Sequence, residues 1–109
     1  MASDPALVER LRAVLAHHRH VEARRMFGGV CFTLNGNMCV GVHNRNLILR
    51  VGETRAKELL TREGVKPMDL TGKVMKGWAT ILPEAIRTDA QLSSYAQLAV
   101  DFVETLPPK

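Results

Sequence analysis

Leu7, Val8, Leu11, Val14 and Leu15 recur three and four residues apart, the spacing of one helical face, and Glu9, Arg10 and Arg12 fall largely on the opposite side. Asp4-Pro5 just ahead supplies an N-cap acceptor and a proline at the first helical position, where its missing N–H costs nothing. An amphipathic helix to about Arg19 is expected. The same rhythm returns near the other end. Leu92, Tyr95, Ala99, Phe102 and Leu106 form an apolar stripe, introduced by Thr88-Asp89-Ala90-Gln91, which matches a capping box, and stopped by Pro107-Pro108.

Between these helices the helical rhythm gives way to runs of β-branched, aromatic and small apolar residues. Val30 to Leu34 and Met38 to Val42 flank Asn35-Gly36, a strong hairpin signal, because a type I′ turn needs positive φ at both central residues. A two-residue loop also sets a register: Leu34 opposite Asn37, Thr33 opposite Met38, Phe32 opposite Cys39 and Cys31 opposite Val40. Upstream, Val21 to Phe27 with Glu22-Ala23-Arg24-Arg25 reads as an edge strand with a charged face, and Gly28-Gly29 as a bend, a bulge or a close approach. Downstream, His43-Asn44-Arg45-Asn46 reads as a turn, Leu47 to Val51 as a strand, and Thr54 to Leu60 as a short helix ended by Gly64. Lys66 to Lys73 reads as irregular, and Met75 to Leu82, containing Trp78, as a further strand closed by Pro83. The expected class is α+β: a mainly antiparallel β-meander flanked by an N-terminal and a C-terminal helix, with one short helix between.

In that register one hairpin face carries Cys31, Met38, Val40 and Val42, and the other Val30, Phe32, Leu34 and Cys39. Neither alternates to polar. Two apolar faces require two covers, so the sheet is expected to lie between helices or against a second copy of the chain.

A length of 109 residues, 46% hydrophobic and 24% charged, is that of a single domain with one core, spanning 1–109. No run of about 18 apolar residues is present to cross a bilayer, and the start, Ala2-Ser3-Asp4-Pro5, lacks the form of a signal sequence, so a cytoplasmic protein with no membrane association is expected. The net charge of +4 comes from the first half: residues 1–55 hold eight Lys and Arg against four Asp and Glu, and the remainder seven of each. This permits nucleic-acid contact without demanding it.

Candidate chemistry is sparse. The expected register puts Cys31 and Cys39 on opposite faces, as free, buried, small apolar residues instead of a disulfide. No Cys/His spacing suits zinc, and His17 and His20 lack a third ligand nearby, so neither metal nor cofactor is expected. Gly28-Gly29 leads into a strand where a phosphate loop needs a helix, and Thr71-Gly72-Lys73 lacks the upstream glycine and the following hydroxyl of a Walker motif. A cysteine nucleophile with His43 or His20 as base fails on distance, since Cys39 and His43 lie four residues apart along one extended strand.

Several blocks, in order, resemble one family. Arg25-Met26-Phe27-Gly28-Gly29, Asn35-Gly36-Asn37-Met38, Leu49-Arg50-Val51-Gly52, Pro67-Met68-Asp69 with Thr71-Gly72, Met75-Lys76-Gly77-Trp78 and Leu106-Pro107-Pro108-Lys109 are similar to the TfoX/Sxy N-terminal-domain family. The resemblance implies a compact α+β domain. It also implies kinship with regulators of bacterial natural competence, whose second, C-terminal domain resembles helix-hairpin-helix modules and has no counterpart in these 109 residues. What is expected is the stand-alone form: a small cytosolic regulatory or protein-interaction domain, not an enzyme, holding a protein partner or pairing as a homodimer. The competing reading is a nucleic-acid-binding accessory protein. The residues assigned to partner or anion contact are Arg24, Arg25, Arg50, Lys73 and Lys76, with Trp78 as a stacking surface; Arg45 joins them in the nucleic-acid reading.

Overall fold

A computed structural model describes residues 4–26, 29–68 and 74–108 of the chain. The order of elements is α1 (Pro5–Leu15), β1 (Val21–Met26), β2 (Gly29–Leu34), β3 (Asn37–His43), β4 (Asn46–Arg50), α2 (Glu53–Leu59), β5 (Val65–Pro67), β6 (Trp78–Ile81), a 3₁₀ turn (Pro83–Ala85) and α3 (Asp89–Val103). The strands form one antiparallel sheet in the order β1-β2-β3-β4-β6-β5. The expected class, α+β with a mainly antiparallel meander, is the observed one.

Local chemistry places most element ends. Asp4 caps α1 by accepting from the Ala6 amide at 3.0 Å, and its own amide donates to the Asn44 carbonyl at 2.7 Å, fixing the helix start against the β3–β4 turn. Thr88 and Gln91 form the reciprocal capping box of α3. Asn35 and Gly36 have φ of 54° and 84°, the pair of positive values that the turn demands. α1 stops at Leu15, short of Arg19, and residues 16–20 turn back toward the sheet, with the His20 backbone at φ 64° and its carbonyl accepting from Asn35. β6 starts only at Trp78, because Met75 to Gly77 form a turn, and Val65–Pro67 is an edge strand where irregular chain was expected. Its three residues pair with β6 on one side only, which is how a proline remains compatible with a strand. Gly28 and the stretch Asp69 to Lys73 lie outside the described residues.

The hairpin register departs from expectation at one point. Leu34 opposes Asn37 and Thr33 opposes Met38, but Phe32 then opposes Val40, and Cys31 opposes Gly41, so Cys39 is the extra residue of a β-bulge. The slip inverts the alternation of β3 beyond it. Without it, Gly41 and His43 would face Phe32 and Leu34, and Val40 and Val42 would face away. With it, Cys39, Val40 and Val42 all join Phe32, Leu34, Leu47 and Leu49 in the main core, which is the better burial of apolar surface. Gly41 goes to the other side, where a Cβ would lie 3.0 Å from the Val30 carbonyl oxygen. The bulge also separates Cys39 from His43, which were expected to share a face.

The arrangement of covers differs as well. α1 and α3 pack against each other, α3 packs on β3 and β4, and the buried residues of all three helices belong to the core cluster that includes Phe32, Val40 and Leu49. All helices therefore back the same face. The second face, with Cys31, Thr33 and Ile48, is nevertheless buried, at 5%, 3% and 6% exposure. Part of its cover is Met68, fully buried at the start of the β5–β6 connection and lining a small gap with Cys31, Met38, Gly41, Ile48 and Trp78. Among the described residues, helices cover one face and Met68 packs on the other.

Candidate functional site

The sheet distributes the candidate cations instead of gathering them. Arg24 and Arg25 are exposed neighbours on β1, and as consecutive strand residues they point to opposite faces: Arg24 opposes Cys31 and Arg25 opposes Val30. Arg50 and Trp78 oppose one another on β4 and β6. Four strand spacings, roughly 19 Å at about 4.8 Å each, separate β1 from β6. Lys73 lies outside the described residues. Arg45 is exposed in the β3–β4 turn. Among the described residues these cations do not all share one face of the sheet.

Trp78 and Lys76 do come together, with residues that sequence reasoning passed over. Gly77 accepts two amides through its carbonyl, from Val51 at 2.8 Å and Gly52 at 3.0 Å, which pins the turn before β6 beside the start of α2. Met75 N–H donates to the Met68 carbonyl at 2.8 Å and closes the neck of the β5–β6 connection. α2 buries Ala56 and Leu59 and leaves the next residue, Leu60, 38% exposed; Val74, in the chain before β6, is 64% exposed. The result is a cleft of about 220 Å³ floored by Ala56, Leu60, Pro67, Val74, Met75 and Trp78 and rimmed by Lys57, Lys76 and Glu53. Leu60 and Val74 are the exposed large apolar residues of the described chain, and both line this one cleft. The sequence offers one sign of it: Leu59-Leu60 ends a short helix that can bury only one of the two.

A larger, more open depression of about 750 Å³ lies between the 3₁₀ turn and α3, but Arg62, Glu63, Glu84 and Arg87 mix both signs of charge along it. Exposed opposed charges in water have little hold on a ligand. The apolar cleft is the stronger candidate.

The two cysteines are free and buried, as expected. Burial pushes the Cys31 thiol above its ordinary value, and burial together with the neighbouring Cys31 pushes the Cys39 thiol up to about 12. Both are thiols, not thiolates, at neutral pH, the opposite of an activated nucleophile. Among the described residues no three His, Cys, Asp or Glu side chains converge as metal ligands, and no helix is long and apolar enough to cross a membrane.

These features define a class: a helix-backed antiparallel sheet with Met68 buried on its second face and an apolar cleft at one end. The profile of the TfoX N-terminal domain family matches residues 13–103, and the chain belongs to that family. No curated protein and no solved structure matches it significantly.

Proposed function

We propose that this chain is a regulatory protein-interaction domain of the bacterial cytoplasm that carries out no reaction and works by holding a protein partner at the α2–β6 cleft. The observation that carries the reading is the coincidence of Leu60, Val74 and Trp78 in one concave, apolar site whose charged rim has two lysines and one glutamate. That chemistry fits a segment presenting a bulky apolar side chain beside a carboxylate, the anchor filling the cleft and the carboxylate reaching Lys57 or Lys76. Family membership supports a regulatory role, since the family takes its name from a regulator of competence.

Quantitative affinity capture from bacterial extract tests this, comparing the native chain with Leu60→Glu and Val74→Glu. Both positions are exposed, so the variants keep the native melting temperature, and each is expected to lose the captured protein. Capture unchanged in both variants contradicts the reading. Recovery of nucleic acid instead, falling steeply as salt rises, would move the function to the basic residues.

A further inference from the structure

The two edges of the sheet are finished differently. β5 is three residues long and contains Pro67, which has no N–H to offer, so it makes a poor template for another strand. β1 is six residues long, proline-free, and exposed from Glu22 to Arg25 on both faces, so no helix overhangs it. We propose that β1 is a self-pairing edge: two copies of the chain join antiparallel along β1 about a twofold axis through Ala23, continuing one sheet across the dimer.

The ladder fixes which backbone groups are available. The Asn35 amide donates to the His20 carbonyl at 3.1 Å, and the Glu22 carbonyl accepts from the Thr33 hydroxyl at 3.5 Å, so the even-numbered residues direct their backbone groups toward β2. By the alternation of an antiparallel pair, Val21, Ala23 and Arg25 direct N–H and C=O outward. None of these outward groups has a backbone partner outside the strand pairing among the described residues.

Symmetry and charge then select a register. A twofold axis that makes strands antiparallel runs perpendicular to the sheet, so it keeps helices on one side and pairs residues of one face with residues of the same face. Only axes through Glu22, Ala23 or Arg24 keep most of the strand paired. An axis through Glu22 opposes it to its own copy, and one through Arg24 opposes two arginines, both repulsive. The axis through Ala23 pairs the outward groups of Val21 with those of Arg25 and of Ala23 with its own copy, and sets Glu22 opposite Arg24 twice, at the closer, non-hydrogen-bonded positions. Of these three registers only this one sets Glu22 against Arg24, while Arg25 opposes the uncharged Val21.

Sedimentation equilibrium over a wide concentration range tests it. The native chain is expected to pass from monomer to dimer mass with rising concentration, and less readily in high salt. Ala23→Pro removes an outward N–H without touching β2 and is expected to stay monomeric at an unchanged melting temperature. Glu22→Arg and Arg24→Glu, both at exposed positions, should each weaken self-association by roughly tenfold or more, and an equimolar mixture of the two should regain it, because every cross-strand pair is then again of opposite charge. A native chain that is monomeric throughout, an Ala23→Pro chain that still dimerises, or a mixture no tighter than either variant alone overturns the proposal. So does a native chain that stays monomeric while an acidic extended peptide protects the Ala23 amide, which would make β1 an edge for another protein's strand.

Discussion

Cys39 is the residue on which β3 changes phase, and it is buried, at 2% exposure. Its ordinary value of 9.0 is raised to about 12 by burial first. Because the folded state holds the proton to higher pH than the unfolded state, stability is full below about 9 and falls above it as the unfolded chain ionises. The slope approaches about 1.4 kcal/mol per pH unit between about 9 and 12. Urea unfolding of Cys39→Ala should give a flatter curve than the native chain over this range, on top of a cavity cost of about 1 kcal/mol at neutral pH. Gly52 is a second position where a single atom matters. Its φ is 85°, and a Cβ there would lie 2.8 Å from the Phe102 ring, so Gly52→Ala should destabilise by more than about 1 kcal/mol. The Asn35-Gly36 turn, the Asp4-Pro5 start and the Thr88 to Gln91 box were all readable at this scale, since each rests on the chemistry of neighbours in sequence. The bulge was not. Nothing local marks Cys39 as the extra residue; what is gained lies in where Val40 and Val42 point, across the whole sheet.

Among the elements, the bulge brings Phe32 and Val40 to one face, opposed to each other beneath the helices, although simple alternation placed them on different faces. Phe32→Asp and Val40→Asp should each cost several kcal/mol and act as neighbours, the double variant losing less than the two separate losses combined. Thr88→Ala should cost about 1 kcal/mol by removing the cap of α3. The rhythm of each helix was readable, yet not which helix shares a face with which. Arg10 shows why: it sits on the outer side of α1 in the sequence pattern, but reaches the Ile86 carbonyl at 2.9 Å and Asp89 at 3.2 Å, joining α1 to the start of α3. A contact spanning that much chain leaves no periodic trace.

For the molecule as a whole, the expectation of two apolar hairpin faces is corrected by the slip, which moves Val40 and Val42 under the helices and leaves Cys31, Thr33 and Gly41 on the second side; the burial of Cys31 and Thr33 there has no trace in the periodicity. Met68 is fully buried on that face. Met68→Ala should therefore cost about 2 kcal/mol or more, read by chemical denaturation, where an irregular surface residue would cost nothing. The same connection forms one wall of the cleft through Val74 and Met75, so the piece of chain that completes the fold also builds the site. The candidate site was legible only in part: Trp78 and Lys76 were named from their residue types, whereas Lys57, Leu60 and Val74 acquire meaning only when α2 and the turn before β6 are set side by side. Amide hydrogen exchange of the chain alone and in complex with the protein it captures tests the central claim most directly. Added protection confined to the end of α2 and to residues 74–78 is the predicted result; protection that leaves both unchanged and falls elsewhere would contradict it.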